Sequence, residues 1–487
     1  MTLAAPDPAV DPTVDAGGAA GPGVGGLWSP ERRGLTVGLV LTITLVAFES
    51  LAIATVMPDV KDDLGGLGLY GWVFSGFFLA SLLGIVVSGQ LADRRGLALP
   101  YAAGLVLFAI GLVVGGAAQS MPMLVAGRLA QGFGAGAIPA VAYAAIGRGY
   151  PAALRPRMFA TISTAWVVPG LVGPGIATVV EHAFTWRLVF LGLLPIVLVA
   201  GVMAVPALRA LGSPVELVDG VRPVTDPVVA ADDRRRLRLV LLLVLGVGAV
   251  LAATADAPLA AAIPLGVVGL PLAAWAFVGL VPAGTVRLAP GVPATVAVRG
   301  LLTCAFFAGD AYVSLAITDG RGAAIWVGGL ALSAGSITWS TASWIQARLI
   351  DQHGPRRLVG AGLVIISAGI ALMLGVALGL PVFLGVVAWG VGAFGMGLAY
   401  SPLSVTVLGA AAPGEEGAAS AALQLSDTLG VAVGTGLGGS IIAFGDAGGW
   451  AVSSGTAVVF AAALAVALAT LAASRRLPTS VPQHTPA

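Results

Sequence analysis

The sequence is poor in charge: Asp, Glu, Lys and Arg make up only 10% of its 487 residues. Soluble domains carry about a quarter, so a water-facing surface of this size could not be covered. One cysteine, Cys304, excludes an internal disulfide framework and a cysteine-based metal cluster. In its apolar run it reads as a small buried hydrophobe. The three histidines, His182, His353 and His484, are scattered, and no metal site is expected. There is no Gly-Lys-Ser/Thr phosphate loop, which excludes a fused ATPase on this chain. A net charge of +1 leaves no field for nucleic acid. These absences point to a membrane protein with no enzyme chemistry and no cofactor.

What the sequence does have is apolar length: 58% of it is hydrophobic. A bilayer core is crossed by about 20 apolar residues of helix. Fourteen such runs stand between residues 35 and 472, separated by short Gly, Pro and Asp punctuation. An all-α integral membrane fold with fourteen transmembrane helices is expected. Residues 1–34 are rich in Pro, Gly and Ala and read as a disordered tail without the features of a signal peptide. A second polar tail covers 473–487. Basic residues test the count. Fourteen spans put both termini on one side, which receives twenty of the 24 basic residues, Arg299 among them. The other side receives Lys61, Arg187 and Arg321, and Arg128 falls inside helix 4. Basic loops stay in the cytoplasm, so both termini are expected there, in a multi-pass protein of the cell membrane.

The chain repeats itself. Gln90-Leu91-Ala92-Asp93-Arg94-Arg95-Gly96 follows helix 2, and Arg348-Leu349-Ile350-Asp351-Gln352-His353-Gly354 follows helix 10, 258 positions on. Gly132-x-Gly134 with Pro139 in helix 4 matches Gly395-x-Gly397 with Pro402 in helix 12, offset 263. Glu49 in helix 1 and Asp310 in helix 9 take similar places. Helices 1–6 (35–208) therefore correspond to helices 9–14 (299–472). Between them lie a loop, 209–236, with an Arg cluster at 234–238, and two inserted linker helices, 237–281. Parallel six-helix repeats around a midplane site are a transporter architecture.

Particular motifs sharpen this. Gly89 through Gly96 resembles the signature loop of the major facilitator superfamily, with Leu97 and Ala98 where that family carries basic residues. Asp93, Arg94 and Arg95 would form a gate at the cytoplasmic mouth, with Gly96 permitting the reversal. Asp351 and Gly354 would be the second copy. Arg128-Leu129-Ala130-Gln131-Gly132-Phe133-Gly134 resembles the superfamily's second motif, whose arginine is implicated in proton coupling. Pro169-Gly170-Leu171-Val172-Gly173-Pro174-Gly175 resembles its antiporter motif, in which small residues pack closely and Pro174 bends the helix. Trp186-Arg187 with Phe190 and Pro195 resembles the start of helix 6 in the same exporters, with Trp186 expected as an interfacial anchor. Phe48 to Pro58, with Glu49, resembles the first helix of the fourteen-helix drug/proton antiporters. The resemblance implies a major facilitator fold of two pseudo-symmetric six-helix bundles plus two linker helices.

Three acids fall inside spans: Glu49, Asp310 and Asp427. Each must be neutralised, paired or hydrated there. With Arg128 they are the candidate proton-coupling residues, and Glu49 and Asp310 are expected to face each other across a central cavity. Gln424 is expected on the same helix face as Asp427. Phe48, Trp72, Trp166, Phe307, Tyr312 and Trp339 are candidate walls of a cavity for lipophilic cations. The expected partners are a small-molecule substrate, protons and membrane lipids. The expected function is proton-coupled export by alternating access. A proton-driven importer, a lipid transporter of the same fold and a non-transporting scaffold stay open as alternatives.

Overall fold

The computed structural model describes residues 26–480, apart from 213–226, 255–258, 411–415 and several positions between 152 and 166. The described residues form fourteen α-helices: α1 Arg33–Leu64, α2 Tyr70–Arg95, α3 Ala98–Gly116, α4 Met121–Gly149, α5 Val167–Ala183, α6 Arg187–Leu191, α7 Leu194–Ala210, α8 Pro227–Thr254, α9 Leu259–Val278, α10 Val292–Ile317, α11 Ile325–Ala377, α12 Leu384–Ala410, α13 Glu416–Ala447 and α14 Val452–Ala473. No strand occurs among them. This is the only secondary structure, apart from a closed barrel, that satisfies its backbone inside hydrocarbon. Twelve stretches are long and apolar enough to cross a membrane, one of them formed by α6 and α7 together. The 53-residue α11 is broken at Gly354 (φ 72°), so its two arms are separate spans. The first arm and α5 bring the spans to the expected fourteen.

Two boundaries differ from expectation. Helix α8 begins at Pro227, not 237, so the Arg cluster at 234–238 lies on its first turns and not in a loop. Helix α10 begins at Val292, with Pro293 in its first turn. Arg299, expected in a loop on the basic side, is instead buried in the helix. Trp186 is buried as well and donates to Asp63 (3.0 Å), together with Arg187 (2.7 Å), so it locks helix ends instead of anchoring in the interface.

Close helix approach is bought with glycine, and the glycines reveal the repeat register. A side chain at Gly111 would strike Gln131 and the Gly127 carbonyl; one at Gly369 would strike Gly392 and the Ala388 carbonyl. Gly134 abuts Gly104 as Gly395 abuts Gly362, and Gly136 abuts Ser81 as Gly397 abuts Trp339. Helices α2 and α3 thus map onto the two arms of α11 with offset 258, as the turn motif indicates. Helix α4 maps onto α12 with offset 261, not 263. The sequence match of Gly132 with Gly395 and Pro139 with Pro402 is therefore displaced by two residues. It cannot be right in space, because Gly132 faces the Phe77 carbonyl on α2 whereas Gly395 faces the second arm of α11.

The halves meet around an approximate twofold axis. Lys61 at the end of α1 forms an ion pair with Asp319, its own counterpart at offset 258. Nearby, Ser314 Oγ donates to the Thr55 carbonyl (3.2 Å), and the rings of Tyr70 and Tyr312 meet at a tilt with centroids 5.6 Å apart. Gly71 of α2 lies directly on Gly439 of α13, and Gly329 of α11 lies on Pro174 and Thr178 of α5. These contacts lie in the half of the spans remote from the termini, so that end is closed.

The insert breaks the symmetry. Helix α8 packs on α2 and on α13: Gly248 meets Trp72, Leu251 fills the space beside Gly436, and Thr254 and Ser440 share a 2.7 Å hydrogen bond. It covers the seam between α2 and α13. Helix α9 packs on α8 through Gly246 and Gly269 and turns Ile263, Val267, Leu270 and Trp275 outward. The opposite seam, between α5 and α11, has no such cover among the described residues and exposes Leu171, Ile176 and Trp344.

The Gly71–Gly439 contact generates a prediction. Replacing Gly439 by Leu puts a side chain against immobile backbone, at a cost of about 1–3 kcal/mol. In a Cys304→Ser, Ser314→Cys background, maleimide labelling of the cysteine should speed up about tenfold in Gly439→Leu. An unchanged rate would mean that the closed end does not depend on this contact.

Candidate functional site

The site begins with a charge pair inside the first half. Glu49 on α1 has no solvent exposure, and Arg128 on α4 is 2% exposed. The guanidinium forms an ion pair with Glu49 Oε1. It also donates from Nε to the Val73 carbonyl (2.9 Å) and from Nη1 to Gln131 Oε1 (3.1 Å), and lies 4.3 Å from the centre of the Phe77 ring. Gln131 Nε2 donates to the same Glu49 oxygen at 3.3 Å. Glu49 Oε2 has no partner among the described residues. Removing either charge leaves the other buried and uncompensated, which typically costs about 3–5 kcal/mol.

The corrected register puts Trp389 of α12 where Arg128 stands in α4. Trp389 Nε1 donates to Asp310 Oδ1 at 2.8 Å. Each half therefore joins an acid on its first helix to a donor on its fourth. In the first half the donor is a cation; in the second it is a neutral indole. Asp310 sits one turn beyond the position equivalent to Glu49, which is Phe307. It is partly exposed, whereas Glu49 is sealed in its own bundle. The two acids thus do not face each other across an open space, as the sequence suggested; each is held by its own fourth helix.

A second charge pair lies nearer the termini. Arg299 Nε donates to Asp427 Oδ1 (2.8 Å), and its Nη1 donates to the Tyr400 carbonyl (2.7 Å) and to Ser404 Oγ (3.3 Å). Tyr400 OH donates to Asp427 Oδ2 (3.0 Å) and its ring lies under the guanidinium. Aromatic rings run from this pair to Asp310. Trp339 contacts Tyr400 (5.5 Å) and Phe306 (5.6 Å), and Phe306 stacks on Trp389 (4.9 Å). Phe307 lies beside Trp339 at 6.3 Å. Phe306 and Trp389 are themselves buried, whereas Phe307, Trp339 and Tyr400 are partly exposed and present the faces suited to a lipophilic cation.

The other candidates are scattered. Phe48 packs near Gly173, and Trp72 faces the insert. Tyr312 is fully buried, bonded to the Thr435 carbonyl (2.6 Å) within the closed end. Gln424 is exposed while Asp427, three residues on, is turned inward to Arg299. Gly170 approaches Ser336, and Gly175 has open space beside it. Trp166 and the side chains of Asp93 and Asp351 lie outside the described residues. Gly96 (φ 81°) and Gly354 (φ 72°) both have the left-handed backbone expected of the two turns. At the first turn Gly89 has no neighbour and Arg95 is exposed, while Arg94 pairs with Asp233 of α8 (2.9 Å). Gln90 Nε2 donates to the carbonyl of the same residue (2.8 Å). No group of acids, histidines and cysteine that could hold a metal ion occurs among the described residues.

Arg299, Gln131, Trp389, Phe306 and Tyr400 were not legible as site residues. Pro293 after Gly291 could have marked an earlier start of α10 and so placed Arg299 in a span. Trp389 required the register, which only the packing of glycines supplies.

The chain is 29% identical over 156 residues to Multidrug resistance protein 3 of Bacillus subtilis (strain 168), which covers 32% of this chain and 30% of that protein. It is 26% identical over 169 residues to the multidrug efflux pump SdrM of Staphylococcus aureus (strain N315), covering 35% of this chain and 38% of that one. The chain thus spans about a third of the length of these relatives. Among solved structures, a peptide transporter POT in complex with sulfate aligns over 91% of this chain and 94% of its own, with a TM-score of 0.64 and 16% identity. That likeness shows the fold. The family model of the Major Facilitator Superfamily matches residues 39–345, well over half of the sequence. By that match, and by the paired bundles it accompanies, the chain belongs to the Major Facilitator Superfamily, a family of membrane transporters.

Proposed function

We propose that this transporter exports small lipophilic cations across the cell membrane in exchange for protons, with both termini in the cytoplasm, as a fourteen-helix drug/proton antiporter. One observation carries the reading. The acid of the first half is neutralised by Arg128, whereas the partner of Asp310 among the described residues is the neutral Trp389 indole. A carboxylate in such surroundings must take up a proton or a cationic group to become neutral. Proton and substrate then compete for Asp310, and competition for one carboxylate is the simplest basis for exchange. The partly exposed rings of Phe307, Trp339 and Tyr400 supply the apolar and cation–π surface for the rest of the substrate. The multidrug names of the relatives support the substrate class.

Glu49 and Arg128 have a different part in this scheme. Protonating Glu49 releases Arg128 from its ion pair. Thr55 and Lys61 lie on the same helix as Glu49 and belong to the closed end. Charge at the centre of α1 is thereby tied to the seal between the halves. With cytoplasmic termini the closed end is the external one, so this conformation is the one that loads substrate from inside. The bodies that rock are 35–208 and 299–472. The insert, held to α2 by Arg94 and Asp233 and to α13 by Thr254 and Ser440, spans both of them.

Two outcomes are expected. In cells or vesicles, Asp310→Asn and Glu49→Gln should each lower dye efflux at least tenfold per transporter present in the membrane, and a protonophore should abolish wild-type efflux. Undiminished proton-driven efflux in both variants would sink the assignment. Reversing the imposed pH gradient separates export from import, because antiport reverses with it, and a scaffold gives no flux at all. Asp233→Asn removes an exposed ion pair worth about 1 kcal/mol or less. It should alter the balance between open states by no more than about fivefold, read as distances between spin labels across the end that bears the termini. A larger shift would mean that the insert does more than this contact allows.

A further inference from the structure

The second copy of the turn has a different surrounding from the first. Where α11 bends at Gly354, a groove of about 1110 Å³ opens between its second arm and the end of α14. Arg356, Arg357, Arg475 and His353 form its rim, and Val364 and Leu471 line it toward the span. The chain after α14 closes one side. Leu477 is buried, and the Thr479 carbonyl occupies the place a side chain at Gly354 would need. Only glycine allows that approach and that backbone angle together.

The rim is strongly positive. None of the ion pairs among the described residues engages Arg356, Arg357 or Arg475, and all three side chains are exposed. The wall is apolar and continues along the membrane span. Val364 is 54% exposed on α11, and Leu468 and Val458 are exposed on α14, so this face of the bundle meets acyl chains. The groove therefore sits at the boundary between hydrocarbon and head groups, on the side of the termini.

We propose that this groove is a binding site for an anionic diacyl phospholipid. The three arginines hold the phosphate, and the acyl chains lie along Leu471 and Val364. Arginine forks fit phosphate oxygens in pairs, and basic pockets between spans at this depth attract anionic head groups. The apolar wall and the volume argue for a lipid over a free phosphate ion, which would leave Val364 and Leu471 unused. The positive rim, with no ion-pair partner among the described residues, argues for an anionic lipid over a zwitterionic one. The first turn is tied through Arg94 to the protein's own insert, and the second is tied to the leaflet. The inference rests on the fold and not on the transported substrate.

The test uses the full-length protein purified in zwitterionic detergent. Binding of phosphatidylglycerol and phosphatidylcholine is compared by native mass spectrometry for wild type, for the triple variant Arg356→Gln, Arg357→Gln, Arg475→Gln, and for a charge-matched control, Arg234→Gln, Arg235→Gln, Arg238→Gln. Wild type and control should favour phosphatidylglycerol at least tenfold, and the groove variant by less than about twofold. Absence of preference in wild type, or equal loss in both triple variants, would overturn the site. So would displacement of the lipid by equimolar inorganic phosphate. A second measurement is independent of the triple variant's folding. Bimane on Val364→Cys in a Cys304→Ser background, with all arginines present, should be quenched by brominated phosphatidylglycerol well before brominated phosphatidylcholine. Equal quenching by the two would also overturn it.

Discussion

A polar group inside hydrocarbon has no water to turn to, so another part of the protein must meet it. That constraint shapes this molecule at every scale. It makes the backbone helical. It turns hydroxyls back onto their own helix, as in Thr42 to the Gly38 carbonyl (2.6 Å) and Ser367 to the Leu363 carbonyl (2.8 Å). It draws Arg128 to Glu49 and Arg299 to Asp427 across helix boundaries. Helices that must share such partners have to lie close, and glycine at the contacts makes that possible.

The glycine contacts also separate what the two halves share from what they do not. Their frames are alike: α3 meets α4 as the second arm of α11 meets α12, through equivalent residues. Their chemistry is unlike. The same place in the frame holds a guanidinium in one half and an indole in the other. Symmetry positions an acid near a fourth-helix donor twice over, and the choice of donor decides whether that acid is already neutralised.

The insert and the C-terminal segment extend this asymmetry to the surface. One lateral seam is covered by α8, and the other has no such cover among the described residues. One copy of the basic turn finds a carboxylate in Asp233, while the other faces a groove lined with arginines that have no ion-pair partner among the described residues. Motifs that read as duplicates in the sequence are thus completed by different neighbours.

By itself, the sequence determined the membrane class, the number of spans, the repeat and the acids inside the spans. Each of these follows from local composition or spacing: a run of apolar residues, a glycine at a turn, a carboxylate in an apolar stretch. Tertiary structure alone decided the partners. Glu49 and Asp310 look equivalent along the chain, yet a helix turn of displacement and a change of donor make one sealed and the other partly open. Arg299 read as a loop cation, because its charge outweighed the helix-start signal that Gly291 and Pro293 supply. The register of α4 on α12 was misread by two residues, because glycine-rich sequence matches itself at several offsets. Only the contacts made by each glycine tell those offsets apart, since a side chain two residues along a helix points to a different neighbour.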